Sequence, residues 1–179
     1  HSQVAANSAT FGGGLAVAAG TIVDSTFTDN SADFGGGVYT YNSPLVNLVD
    51  SRIESNTAAT RGGGIYVGGS VSLVGVTIAH NNSGEGGGLF KSGGGSDTFT
   101  TATLTNSTVS NNNATTGGGI SNFGNLILKS VTVTANTATD GGGIANRSWL
   151  PPDDNGSIIV ANSIIAGNTA TGADPDVRS

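Results

Sequence analysis

The chain of 179 residues contains no cysteine and no methionine. The first absence excludes a disulfide framework and any thiol-ligated metal centre. The two absences together remove the side chains most easily oxidised, which suits an extracellular setting. Charge is scarce as well: Asp, Glu, Lys and Arg make up 10% of the residues, with a net charge of -6 and a pI near 4.4. A lysine-poor acidic surface repels phosphate backbones and anionic lipid, so the sequence predicts no nucleic-acid partner. No apolar run approaches the roughly 18 residues of a membrane span, and no targeting or lipidation motif is present.

What is abundant is glycine, 30 residues of it, and its order carries the information. Triple glycine recurs at 12–14, 35–37, 62–64, 86–88, 117–119 and 141–143, with steps of 23, 27, 24, 31 and 24. The basic period is about 24 residues, and a fixed period of this size marks a repeat architecture. Each triplet is followed by an aliphatic residue: Leu15, Val38, Ile65, Leu89, Ile120 or Ile144. A second column precedes the triplets: Asn7, Asn30, Asn56, Asn81, Asn112, Asn136 and Asn168. Three residues before each Asn stands an apolar residue, eight before an aliphatic one, and ten before a mostly apolar one.

Spacings of two within these runs are strand alternation, and no run sustains a helical period. The pattern predicts three short strands per coil: one after the triple glycine, one holding positions -10 and -8 from the Asn, and one holding -5 and -3. A 24-residue coil cannot bury its own inward side chains. Coils stacked about 4.8 Å apart pair each strand in parallel with its equivalent and fuse the inward columns into one core. The expected architecture is an all-β, right-handed, single-stranded parallel β-helix of about six to seven coils, one domain over residues 1–179. The Asn column is expected to form an interior amide ladder. The triple glycine is expected to allow close backbone approach at the next corner.

Asn-Ser-Thr-Val-Ser-Asn-Asn at 106–112, Thr-Ala-Thr-Asp-Gly-Gly-Gly-Ile at 137–144, and Asn-Ser-Ile-Ile-Ala-Gly-Asn-Thr-Ala at 162–170 followed by Pro-Asp-Val at 175–177 carry a family resemblance. They resemble the repeats of large secreted bacterial right-handed parallel β-helix proteins, and are similar to the polymorphic outer-membrane-protein repeats of autotransporter passengers. The resemblance covers nearly the whole chain. It implies a bacterial cell-surface or secreted location and a role as stalk or adhesin-like scaffold.

Any chemistry of such a rod must stand at its outward positions. Neither strand face with two outward residues per coil carries carboxylates on neighbouring coils, so the paired acids of a glycosidase are missing. Arg52 and Glu54 read as a solvated ion pair, and His80 as a surface residue without an acid or serine partner. The sequence predicts no enzyme and no catalytic residue. Asp153-Asp154-Asn155-Gly156 and Asp174-Pro175-Asp176 are oxygen-rich enough for Ca2+ but lack EF-hand spacing, and solvated acidic turns are preferred; no metal site or cofactor is assigned. Thr-x-Thr pairs on the third strand leave an ice-binding face open as an alternative, although Arg52/Glu54 and Ile164/Ala166 interrupt it.

Candidate binding residues are aromatic. Tyr39, Tyr66 and Phe90 follow the aliphatic residue on three successive coils, an exposed ladder suited to a glycan or a partner protein, or one covered by the long loops. Those loops, Lys91–Thr101 with Phe99 and Asn146–Ser157 with Trp149, leave the same corner. Both ends of the sequence fall within a coil, which predicts a segment of a longer protein or a subunit stacking end to end into filaments. A structural or adhesive surface segment is the first reading. A self-assembling filament subunit is the second, with an ice-binding solenoid and a glycan-active enzyme behind.

Overall fold

The computed structural model describes residues 1–41, 45–93, 100–147 and 156–178. These hold strands and turns and no helix. The chain winds through four parallel sheets in turn. Sheet A stacks Ser2–Ala5, Ser25–Thr28, Arg52–Glu54, Thr77–Ala79, Thr108–Ser110, Thr132–Thr134 and Ile164–Ala166. Sheet B, just after the Asn column, stacks Ser8–Phe11, Ser31–Phe34, Thr57–Arg61, Asn82–Glu85, Asn113–Thr116, Thr137–Ala138 and Thr169–Ala170. Sheet C, just after the triple glycine, stacks Leu15–Val17, Val38–Thr40, Ile65–Val67, Leu89–Lys91, Ile120–Asn122, Ile144–Asn146 and Val177–Arg178. Sheet D stacks Gly20–Val23, Val46–Val49, Val71–Val74, Thr101–Thr105, Asn125–Lys129 and Ser157–Ala161. The fold is a right-handed parallel β-helix.

Equivalent residues pair in register from coil to coil, as in Ile65 between Val38 and Leu89, Leu73 between Leu48 and Leu104, and Ile78 between Ile53 and Val109. These columns are buried and form one core. The registration follows from the period-2 pattern: a slip of one residue would carry every aliphatic side chain to the solvent face.

Sheet B is a fourth strand per coil beyond the three that the alternation predicts. Its reason is visible in the sequence of one strand. Ala32 is the inward residue, flanked by outward Ser31 and Asp33, so the strand contributes one inward side chain per coil and shows no repeat of two. In the third coil it takes in an extra residue as a bulge between Ala58 and Arg61.

The corners are sharp. The residue before each ladder Asn has positive φ: Ala6, Asp29, Ser55, His80, Asn111, Ala135 and Gly167, between 55° and 72°. Ladder asparagines hold this turn from within, as where Asn56 Nδ2 donates to Glu54 O at 3.0 Å. The same amide donates to Asn81 Oδ1 at 3.0 Å, and the run of such bonds continues Asn7–Asn30–Asn56–Asn81–Asn112–Asn136–Asn168. Asn30 through Asn168 are buried; Asn7 is exposed. A second, shorter polar column runs beside it at the D-to-A corner. Ser25, Ser51, Ser107 and Ser163 each donate to the carbonyl two residues earlier at 2.8 Å, and Val76 N donates to Ser107 Oγ at 3.1 Å.

Candidate binding surface

The glycine corner builds the most decorated surface of the rod. Gly-Gly-Gly carries no side chains, so the last residue of sheet B and the outward residue of sheet C meet across it. Sheet B supplies Phe11, Phe34, Arg61 and Glu85, which pair in register. Sheet C supplies Tyr39, Tyr66 and Phe90, also in register. Tyr39 stacks on Tyr66 with ring centroids 4.8 Å apart and planes 19° apart, and Tyr66 on Phe90 at 5.1 Å and 24°. Phe11 stacks on Phe34 at 5.5 Å and tilts against Tyr39 at 5.2 Å. Phe34 meets Tyr66 edge-on, and Phe123 tilts against Phe90 at 5.5 Å.

This arrangement corrects the picture of an exposed ladder at one position. Phe90 is fully buried, while Tyr39 and Tyr66 are half-buried. The faces of the three rings are turned toward one another along the rod axis, so the two tyrosines offer edges and hydroxyls rather than faces. Burial, then the neighbouring Tyr66 and Tyr41 hydroxyls, push the Tyr39 phenol above its ordinary range. Ring surface open to solvent lies instead on Phe11, 48% exposed, and Tyr41, 47% exposed. Phe99 and Trp149 lie outside the described residues.

An acid and two arginines close the stack. Arg61 lies 5.0 Å from the centroid of Phe90, and Arg147 lies 5.6 Å from that of Phe123. Both donate to Glu85, Arg61 Nε to one oxygen and Arg147 NH1 to the other, each at 3.1 Å, and Ser121 Oγ is 3.3 Å from the second oxygen. Glu85 thereby bridges the two guanidinium groups, a structural use of a carboxylate. Its signal is present in the sequence only as distant residues, 24 and 62 positions from Glu85, that the coil period and the second loop bring together.

The bases of the two loops are tied from inside the rod. The third residue of sheet C points inward; it is Val67 in one coil but Lys91, Asn122 and Asn146 in the next three. The Lys91 ammonium donates to Ser92 O and, at 2.7 Å, to Thr100 Oγ1, across the base of the first loop. Burial lowers its pKa to about 8. Asn122 Nδ2 donates to Asn146 Oδ1 at 2.7 Å, and Asn146 Nδ2 to Gly156 O at 2.6 Å, across the base of the second. Reading Lys91 only as the start of a loop hides this inward role.

Elsewhere, Arg52 donates to Glu54 at 2.7 Å on an exposed part of sheet A. Thr26, Arg52, Thr77, Thr108, Thr132 and Ile164 form one outward column of that sheet. His80 is exposed at its positive-φ corner. Among the described residues no three His, Cys, Asp or Glu side chains gather as metal ligands.

Residues 24–41 and 50–68 match the family model of the Chlamydia polymorphic membrane protein repeat. Each stretch contains one ladder Asn and one triple glycine, Asn30 with 35–37 and Asn56 with 62–64. No curated protein matches the chain, and no solved structure does.

Proposed function

We propose that this chain is a non-catalytic structural rod of a secreted or surface-exposed bacterial protein, which carries its corner loops and the aromatic strip of its glycine corner toward a glycan or protein partner. The observation that carries the reading is the way side chains are spent. Asparagines, serines and the buried lysine hold coils and loop bases together, and the carboxylates of the decorated corner are engaged by arginines, Glu85 by Arg61 and Arg147 and Asp140 by Arg178. Phe11 and Tyr41, each packed against Tyr39 and each about half exposed, present ring surface as the natural contact for a sugar ring or an apolar side chain. The family-model match to a membrane-protein repeat supports the surface setting.

The test is binding of the chain to an array of bacterial and host polysaccharides. The expected result is retention that falls in Phe11→Ser and Tyr41→Ser variants whose β-sheet circular dichroism is unchanged. Retention indifferent to both substitutions removes the aromatic strip from the reading. Release of reducing ends or unsaturated uronates from the array overturns the non-catalytic assignment.

A further inference from the structure

At the glycine corner each coil meets the next through bare backbone. A Cβ built on Gly118 would sit 2.6 Å from Gly142 O and closer still to Thr137 O. One on Gly119 would sit 2.6 Å from Gly143 O and 3.0 Å from Asn136 Nδ2. Side chains at the second and third positions of the triplet therefore point along the rod, into the following coil. The amide of the second glycine is committed the same way, with Gly118 N donating to Gly141 O at 3.2 Å.

The seventh coil breaks this rule in each respect. Ile144 pairs with Val177, so Asp174, Pro175 and Asp176 stand over Gly141, Gly142 and Gly143. Backbone bonds still tie the two coils: Gly141 N donates to Ala173 O at 3.3 Å, Gly143 N to Pro175 O at 2.8 Å and Ile144 N to Asp176 O at 2.9 Å. Asp174 holds φ at 57°, beside 62° for Gly141. Pro175 removes the amide that a following coil would accept and puts its ring where that coil's carbonyls would run. Asp176 sends its carboxylate out of the glycine column and into the asparagine column. Its Oδ1 accepts from Asn168 N at 3.2 Å and Asn168 Nδ2 at 3.0 Å. These are the two donors that each interior rung directs at the next Asn, as Asn136 N and Nδ2 do toward Asn168 Oδ1 at 3.0 and 2.9 Å.

We infer that Asp174-Pro175-Asp176 is a stop for coil stacking that closes this corner of the rod against a second copy of the chain. An incoming first coil would bring Asn7 Oδ1 to donors already taken, setting an amide oxygen against a carboxylate. It would also bring the carbonyls of Gly13 and Gly14 onto the Pro175 ring and the Asp176 Cβ. The glycine corner and the Asn ladder, the two features that most favour endless stacking, are both blocked by three residues. This bears directly on the end-to-end filament expected from the open coils.

The test compares the chain with a variant carrying Asp174→Gly, Pro175→Gly and Asp176→Gly, by light scattering and negative-stain microscopy at matched concentration. The expected result is a monomer for the parent and a mass of two or more chains for the variant, seen as longer rods of unchanged width. A variant that keeps its β-sheet circular dichroism and stays monomeric overturns the inference. So do parent rods of single width longer than one molecule, which decides the matter even where the variant fails to fold. An Asp176→Asn variant, which keeps an acceptor for Asn168 and a Cβ in the path, is expected to remain a monomer.

Discussion

Asn112 donates its side-chain amide to Asn136 Oδ1 at 2.9 Å across 24 residues of sequence, and both side chains are buried. The same amide donates to Ile78 O at 3.0 Å, while Asn112 Oδ1 accepts from Asn81 N at 2.9 Å and Asn81 Nδ2 at 3.0 Å. Asn112→Ala takes from Asn81 N its acceptor and removes one bond each from Asn81 Nδ2, Ile78 O and Asn136 Oδ1 in the interior, at a cost of about 3 kcal/mol. Asn7→Ala, at the exposed end of the same column, costs under about 1 kcal/mol. Urea midpoints of the two variants check this, and equal midpoints would remove the distinction between interior and end rungs.

Lys91 gives a pH dependence with a definite sign. Its folded-state pKa of about 8 lies below the ordinary 10.5 because burial penalises the ammonium. Below pH 8 both folded and unfolded chains hold the proton, and the penalty is present in full. Between about 8 and 10.5 the unfolded chain keeps a proton that the folded chain has lost, so stability rises with pH, with a full swing of roughly 3 kcal/mol. The Tyr39 phenol, raised by burial from its ordinary 10.0, acts with the opposite sign toward the top of this window. The expected urea midpoint is higher at pH 9.5 than at pH 7.5. Lys91→Met should flatten the difference, and a parent midpoint that falls over this range contradicts the buried amine.

Gly118→Ala separates sterics from backbone strain, because Gly118 is not among the positive-φ glycines. Its new methyl group would meet Gly142 O at 2.6 Å and Thr137 O more closely, and both are backbone atoms of a registered stack. The coils must part there, at about 3 kcal/mol or more. Pro175→Ala removes a ring with no coil packed beyond it among the described residues and should shift stability by less than about 1 kcal/mol. Thermal unfolding of both variants gives the comparison directly.

The sequence already carried most of the rod, and the residues show why the rest was hidden. Val46, Leu48 and Ile53 announce inward columns because they alternate and recur each coil; the structure buries all three. Sheet B was hidden because Ala32 or Ala58 alone cannot display a period of two. Tyr39, Tyr66 and Phe90 were legible as a stack, but the burial of Phe90 was not. That burial depends on Arg61, Phe123 and the Glu85 bridge, residues placed by the corner geometry rather than by strand alternation. Asp176 reads in sequence as part of an acidic turn. Only the registration of Val177 on Ile144 places it over a glycine, with its carboxylate in the asparagine column.

The Glu85 bridge yields the last expectation. Glu85 is largely buried and holds Arg61 and Arg147 by separate oxygens, each at 3.1 Å, so Glu85→Gln removes the charge that both guanidiniums face. Two partly desolvated cations then remain over Phe90 and Phe123 without their common anion, at a cost of roughly 1–3 kcal/mol. Arg52→Ala breaks a pair at 2.7 Å that is shorter but far more exposed, and costs less than about 1 kcal/mol because solvent screens it. The near-UV circular dichroism of the tyrosines adds a second readout. Tyr66 packs on Phe90, and Phe90 lies under Arg61. Release of Arg61 should therefore weaken the tyrosine signal in Glu85→Gln and leave it intact in Arg52→Ala. Equal destabilisation by the two substitutions, with an unchanged near-UV spectrum, would show that the bridge does not hold the aromatic stack.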